Sequence, residues 1–136
     1  MLSKRDMQYF AVATALAKVS THHKAKLGAA IVSDREVIST ATNVAKSHPI
    51  QRKYNYFRNM EGDNHQHFLH AEINAIIRVQ DKRRLKGASI YVGRVCKDRV
   101  FAMARPCPAC MKAIVDFGIK NIFYTTELGY AQEVIS

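Results

Sequence analysis

Two short clusters hold four side chains of the right types for metal-assisted chemistry. His70-Ala71-Glu72 supplies an imidazole and a carboxylate, and Pro106-Cys107-Pro108-Ala109-Cys110 supplies two thiols. Two thiolates and one imidazole are borderline-soft donors suited to zinc. Three protein ligands leave the fourth tetrahedral position for water, as a catalytic site requires. Glu72 stands two residues from His70 and can reach that water without binding the metal. Zinc lowers the pKa of bound water toward about 7, and a carboxylate at hydrogen-bond distance can take the proton and redeliver it. The expected chemistry is hydrolysis, with His70, Cys107 and Cys110 as ligands and Glu72 as proton shuttle. Each cluster alone admits other readings. A C-x-x-C also serves structural zinc knuckles and thioredoxin-like redox pairs. A closed structural site would take a fourth ligand from Cys96, His65 or His67, and would leave Glu72 beside the metal without a task.

Both clusters fall at predicted helix starts. There the unpaired backbone N–H groups and the positive end of the dipole favour thiolate over thiol. C-x-x-C across a first helical turn puts both sulfurs on one face, and Pro108 suits that turn because its missing N–H costs nothing. The first of these helices is expected from Ala71 to near Lys86-Gly87, and the second from Cys107 to Phe117, stopped by Gly118. Upstream, Ser3-Lys4-Arg5-Asp6 has the form of a capping box. Met7, Phe10, Thr14 and Ala17 follow at helical spacing, predicting an amphipathic helix to about Val19. Leu27–Val32 and Val37–Thr42 read as a hairpin around the polar turn Ser33–Glu36. Residues 43–68 show little periodicity, and with Pro49 and Gly62 as breakers they read as a long loop or irregular insert lining the site. Ala88–Val95 and Ile119–Thr125 read as strands, and 130–136 as a short helix or strand. Strands alternating with helices predict an α/β layered domain with parallel crossovers.

The chain has 136 residues, 48% of them hydrophobic, enough for one domain over residues 1–136 with a core that needs no disulfides. No apolar run approaches a membrane span and the start lacks a secretory leader, so a soluble cytoplasmic protein is expected. The net charge of +10 is lopsided: 19 of the 21 lysines and arginines, but only 8 of the 11 acids, precede Pro106. The front of the chain should therefore attract an anion, free or polymeric, although a surface charged only for solubility gives the same balance. Lys46, Arg52, Lys53 and Arg58 interleave with Tyr54, Tyr56 and Phe57, a mixture that single-stranded nucleic acid uses for backbone attraction and base stacking. Such aromatics equally serve to close a loop over a core.

The motifs together resemble the cytidine and deoxycytidylate deaminase superfamily, and its deoxycytidylate branch most closely. The resemblance rests on Leu27–Val32, on His70-Ala71-Glu72-Ile73-Asn74-Ala75-Ile76, and on Cys107-Pro108-Ala109-Cys110-Met111-Lys112-Ala113-Ile114 through Gly118–Tyr124. It implies a three-layer α-β-α fold, with a mixed sheet of about five strands flanked by helices and zinc at the facing ends of two of them. It also implies a sugar contact from Asn43, a substrate contact from the backbone at Ala71, and a homo-oligomeric assembly. Between Asn43 and His70 the chain departs from the glycine-rich segment usual in deoxycytidylate deaminases, so the phosphate contact is not marked by a motif. Lys46, Arg52, Lys53 and above all Arg105, beside the cysteine turn, are the candidates, although Arg105 could equally pair with a surface acid.

The expected activity is hydrolytic deamination of the cytosine of a pyrimidine nucleotide, dCMP foremost. A cytosine deaminase acting on single-stranded DNA or RNA, and a non-catalytic zinc-stabilised binding module, are the competing readings.

Overall fold

A computed structural model of the chain describes residues 2–20, 26–58, 68–96 and 102–135. Helix α1 (Lys4–Lys18) opens on the expected capping box: Ser3 accepts from the Asp6 N–H, and the Asp6 carboxylate accepts from the Ser3 N–H. Its inner stripe is Phe10, Ala13 and Ala17, while Met7 is exposed. The stripe therefore starts one turn later than the spacing predicts. Strands β1 (Lys26–Ser33) and β2 (Glu36–Thr42) form the predicted hairpin. Asp34 and Arg35 turn it, both at positive φ, as a right-twisted two-residue turn demands.

Where an irregular insert is expected, the described part is half structured. Strand β3 (Val44–Ser47) pairs with the two-residue β4 (Phe68–Leu69). Helix α2 (Pro49–Asn55) lies between them, followed by a 3-10 turn at Tyr56–Arg58. Pro49 starts that helix and does not break it. It sits in the first turn, and the His48 ring accepts from the Ile50 N–H in the manner of a cap. Helix α3 (Ala71–Arg78) is much shorter than the apolar run suggests, because Val79 turns extended at ψ 124°. A separate 3-10 turn, Lys82–Leu85, is capped by Asp81. Neither proline nor glycine marks that break.

Strand β5 (Ser89–Val95), helix α4 (Pro108–Asp116) and strand β6 (Asn121–Thr126) follow as expected, and the tail is a strand, β7 (Gly129–Val134). The sheet order is β2-β1-β5-β6-β7. β1 runs antiparallel to both β2 and β5, β5 and β6 are parallel, and β7 is antiparallel to β6. The strands joined through helices, β2 to β5 and β5 to β6, do run the same way, as crossovers require. β1 lies between the first of these pairs with opposite direction, which makes the sheet mixed.

One face carries α1. Phe10 meets Tyr91 and Phe123 edge-on, while Tyr91 and Phe123 stack 4.3 Å apart at 6°. Gly28 of β1 permits this contact: a Cβ there would stand 2.1 Å from the Ala13 carbonyl oxygen. The other face packs α3 and α4 over Ala29, Ile31, Ile90, Val92 and Ile122, the main core. This is the expected mixed five-stranded sheet between helical layers. No helix among the described residues is long and apolar enough to cross a membrane.

Candidate active site

Helices α3 and α4 each begin with a candidate metal ligand in the cap position. His70 caps α3 and Cys107 caps α4, both extended and neither using its side chain to cap. Their side chains are therefore available to meet each other. His70 Nδ1 lies 3.6 Å from Cys107 Sγ and 3.3 Å from Cys110 Sγ, and all three donor atoms lie within 4.8 Å of one another. A tetrahedral zinc with bonds of about 2.3 Å to sulfur and about 2.0 Å to nitrogen sets N and S roughly 3.5 Å apart. The donor set fits that ion in both chemistry and spacing. Among the described residues these three form the group, and Cys96, half-buried after β5, is not part of it. His65 and His67 lie outside the described residues.

The electrostatics suit ligand and shuttle differently. A hydrogen bond from Cys110, helped by His70 and opposed by burial, lowers the Cys107 thiol to about 4, so it is a thiolate at neutral pH. Glu72 is 4% exposed. Burial raises its carboxyl pKa, with His70 and a hydrogen bond from Cys110 pulling the other way and the Cys107 charge adding to the rise. A carboxyl pushed upward in this way holds a proton more readily than an exposed one.

The support of the site lies in residues without a motif. Gln51 of α2 is fully buried, accepts from the His70 N–H at 3.0 Å and donates to Asn55 Oδ1 at 2.8 Å. Asn74, one turn into α3, donates to the Thr42 carbonyl at 2.9 Å and ties the helix start to the end of β2. α2 is in turn held to α4 by the Tyr54 hydroxyl, which donates to Asp116 at 3.0 Å. No motif marks Gln51, and its one signal in the sequence is its spacing with Tyr54 and Asn55, the other buried residues of α2, in a segment that reads as loop.

The remaining candidates have definite surroundings. Asn43 is buried, and its Oδ1 accepts from the Ser20 hydroxyl at 2.6 Å and the Leu27 N–H at 3.0 Å, joining the ends of β1 and β2. Ala71 is fully buried in the first turn of α3. Arg105 makes a two-pronged pair with Glu133 of β7, at 2.6 and 3.1 Å, and Glu133 also accepts from the Tyr124 hydroxyl. Of the basic and aromatic residues on α2 and the 3-10 turn after it, Tyr54 belongs to the core, whereas Arg52, Lys53, Tyr56 and Phe57 are exposed. The Arg58 side chain lies outside the described set.

Comparison with known proteins gives the same picture. Residues 3–126 match the cytidine and deoxycytidylate deaminase zinc-binding region. The deoxycytidylate deaminase of Mycobacterium phage D29 is 30% identical over 135 residues, covering 90% of this chain and 94% of that protein. The apo crystal structure of dCMP deaminase from cyanophage S-TIM5 superposes with a TM-score of 0.63 at 21% identity, covering 91% of this chain and 84% of that one. The same cyanophage enzyme has also been crystallised in complex with dCMP and dUMP. Acinetobacter baumannii RibD matches at a TM-score of 0.54 and 23% identity, over 89% of this chain but 28% of its own. With the match spanning nearly the whole sequence and the ligand set assembled as its chemistry requires, the chain belongs to the cytidine and deoxycytidylate deaminases, a family of zinc-binding deaminating enzymes.

Proposed function

We propose that this enzyme deaminates the cytosine of a pyrimidine nucleotide, dCMP foremost, consuming water and releasing ammonia to leave uracil. The observation that carries the reading is the convergence of His70 Nδ1, Cys107 Sγ and Cys110 Sγ beside a buried carboxyl, Glu72. The deoxycytidylate deaminase of phage D29 and the cyanophage structure holding dCMP and dUMP support the substrate class. His70, Cys107 and Cys110 would hold zinc, which when bound supplies an acidified water at neutral pH. Glu72 takes the proton of the attacking water, passes it to the ring nitrogen beside the reacting carbon, and carries the next proton to the departing amine. Burial raises its pKa, the direction that favours taking up the proton. In this reading the Ala71 backbone meets the base and Asn43 meets the sugar through its amide, its Oδ1 being shared with Ser20 and Leu27. Arg105, held by Glu133 through Nε and Nη2, steadies the segment entering α4. A homo-oligomer in the cytoplasm, where thiol ligands stay reduced, completes the proposal.

Ammonia release from cytidine, deoxycytidine, CMP, dCMP, dCTP and a cytosine-containing oligonucleotide tests it directly. Zinc-loaded protein is expected to prefer dCMP, and activity on purine compounds alone would refute the assignment. Glu72→Gln should lose about 100- to 10,000-fold in turnover while retaining zinc by metal analysis. A binding module would keep its function in that variant. A second reading, deamination within single-stranded nucleic acid, is favoured by the exposed Arg52, Lys53, Tyr56 and Phe57 on and just after the helix that supports His70. Oligonucleotide binding that weakens steeply with added salt would support it.

A further inference from the structure

Arg94, near the end of β5, is a cation with a buried and unanswered donor. Its Nε is fully enclosed and has no hydrogen-bond partner, and among the described residues no carboxylate pairs with it. Other arginines are treated differently: Arg84 pairs with Glu36, and Arg105 with Glu133. A buried guanidinium nitrogen left without an acceptor is costly, and because Arg94 as a whole is only half-buried, a ligand would meet the part of the side chain that remains accessible and not the enclosed Nε.

Three observations place Arg94 on the face and at the end of the sheet that carry the candidate metal site. Strand alternation sets the face: Ile90 and Val92 lie in the core beneath α3 and α4, whereas Tyr91 and Gly93 face α1. Arg94, in step with Ile90 and Val92, projects to the α3 and α4 side. Sheet register sets the level. Arg94 pairs with Leu27, whose N–H is held by Asn43. The next row inward is Gly93, Gly28 and Thr42, and the Thr42 carbonyl is the one that anchors Asn74 in the first turns of α3. His70 lies one turn before Asn74, so Arg94 stands at the end of the sheet from which the ligand set rises. Finally, Thr125 accepts from the Arg94 N–H at 3.3 Å while its hydroxyl donates to the Ala102 carbonyl and its own carbonyl accepts from the Ala104 N–H. The segment that leads to Cys107 is thereby pinned beside Arg94.

We propose that Arg94 is the residue that binds the phosphate monoester of the nucleotide substrate and so selects nucleotide over nucleoside. The inference rests on the deaminase reading above. A guanidinium offers the forked donors that a phosphate accepts, and the other candidates are engaged or exposed: Arg105 is paired, and Lys46, Arg52 and Lys53 lie on the surface.

The test compares Arg94→Met and Arg94→Lys with the unaltered zinc-loaded protein. Calorimetric titration with dUMP and with deoxyuridine reads product binding without turnover, and ammonia release from dCMP and deoxycytidine reads catalysis. Arg94→Met is expected to weaken dUMP binding about 10- to 100-fold, the scale of one charge-assisted contact, and to raise KM for dCMP with kcat little changed. Deoxyuridine and deoxycytidine should be affected less than twofold. Arg94→Lys keeps the charge without the fork and should fall between, and it carries the test if the methionine variant does not fold. Equal losses for nucleotide and nucleoside, or none for either, overturn the inference and leave the deaminase reading intact. No ammonia from any cytosine compound with the unaltered protein overturns the deaminase reading. In that event, dUMP binding no tighter than deoxyuridine overturns the role of Arg94 as well.

Discussion

Gln51 is the most informative residue to perturb because a single side chain joins the fold to the metal site. Its carboxamide is fully buried, with Oε1 taking the His70 N–H at 3.0 Å and Nε2 reaching Asn55 Oδ1 at 2.8 Å. Gln51→Leu keeps the approximate volume and removes both bonds, so the change is chemical and opens no large cavity. Each buried group that loses its partner costs about 1–3 kcal/mol, and the added apolar burial of leucine returns about 1 kcal/mol. With two groups affected, the net expectation is a loss of about 1–5 kcal/mol. At about 3–5 °C per kcal/mol for a chain of this size, Tm should fall by roughly 3–25 °C. The released backbone at His70 should also loosen the ligand set, and losses of roughly 10- to 100-fold in metal affinity are usual when such supporting contacts are cut. Calorimetry gives Tm, and competition with a zinc indicator gives affinity. The exposed Lys46→Ala on β3 is the control and should stay within about 0.5 kcal/mol. If Gln51→Leu melts within about 1 °C of the unaltered protein and holds zinc equally well, the buried carboxamide does not position His70.

Two further outcomes follow from the packing of α1. Gly28→Ala must push a methyl group against backbone, 2.1 Å from the Ala13 carbonyl oxygen and 2.6 Å from the Ala17 nitrogen, so urea unfolding should show a loss of about 3 kcal/mol or more. The Asp6 carboxyl is held below its ordinary range: burial pushes it up, but hydrogen bonds from Tyr91 and Ser3 and the Arg5 charge outweigh burial. Because the folded value is the lower one, its contribution is present above the ordinary aspartate pKa and disappears as the pH falls through the folded value. The stability gap between unaltered protein and Asp6→Asn, measured in urea at pH 7, 5 and 3, should therefore narrow toward acid. A gap that stays constant with pH contradicts the assignment.

Local spacing carried the chemistry and most of the scaffold. The histidine and glutamate two residues apart, and the cysteines three apart, are relations within one helical turn, so sequence distance translates directly into geometry. The capping box of α1, the hairpin and the strand–helix–strand run to β6 are readable for the same reason: each depends on neighbours in the chain. The insert after Asn43 was not readable, because α2 is too short to show a period and Pro49 signals both the start and the end of a helix. Nor was the end of α3, where apolar residues continue past the break.

What only the tertiary structure decided is everything that depends on residues distant in the chain. His70 and Cys107 stand 37 positions apart and meet because β5 returns the chain to the end of the sheet where α3 begins. The same end gathers Gln51 from α2, Asn43 from the β2 terminus and Arg94 from β5. No periodicity marks these three, since their roles follow from which partner the fold places opposite a buried polar atom. By itself the sequence singled out the candidate ligands His70, Cys107 and Cys110 and the candidate proton carrier Glu72, because zinc chemistry is written in residue type and short spacing. Packing decided which side chains hold those candidate ligands in place and which buried donor is left without a partner, because hydrogen-bond partnership and burial arise only when distant segments close together.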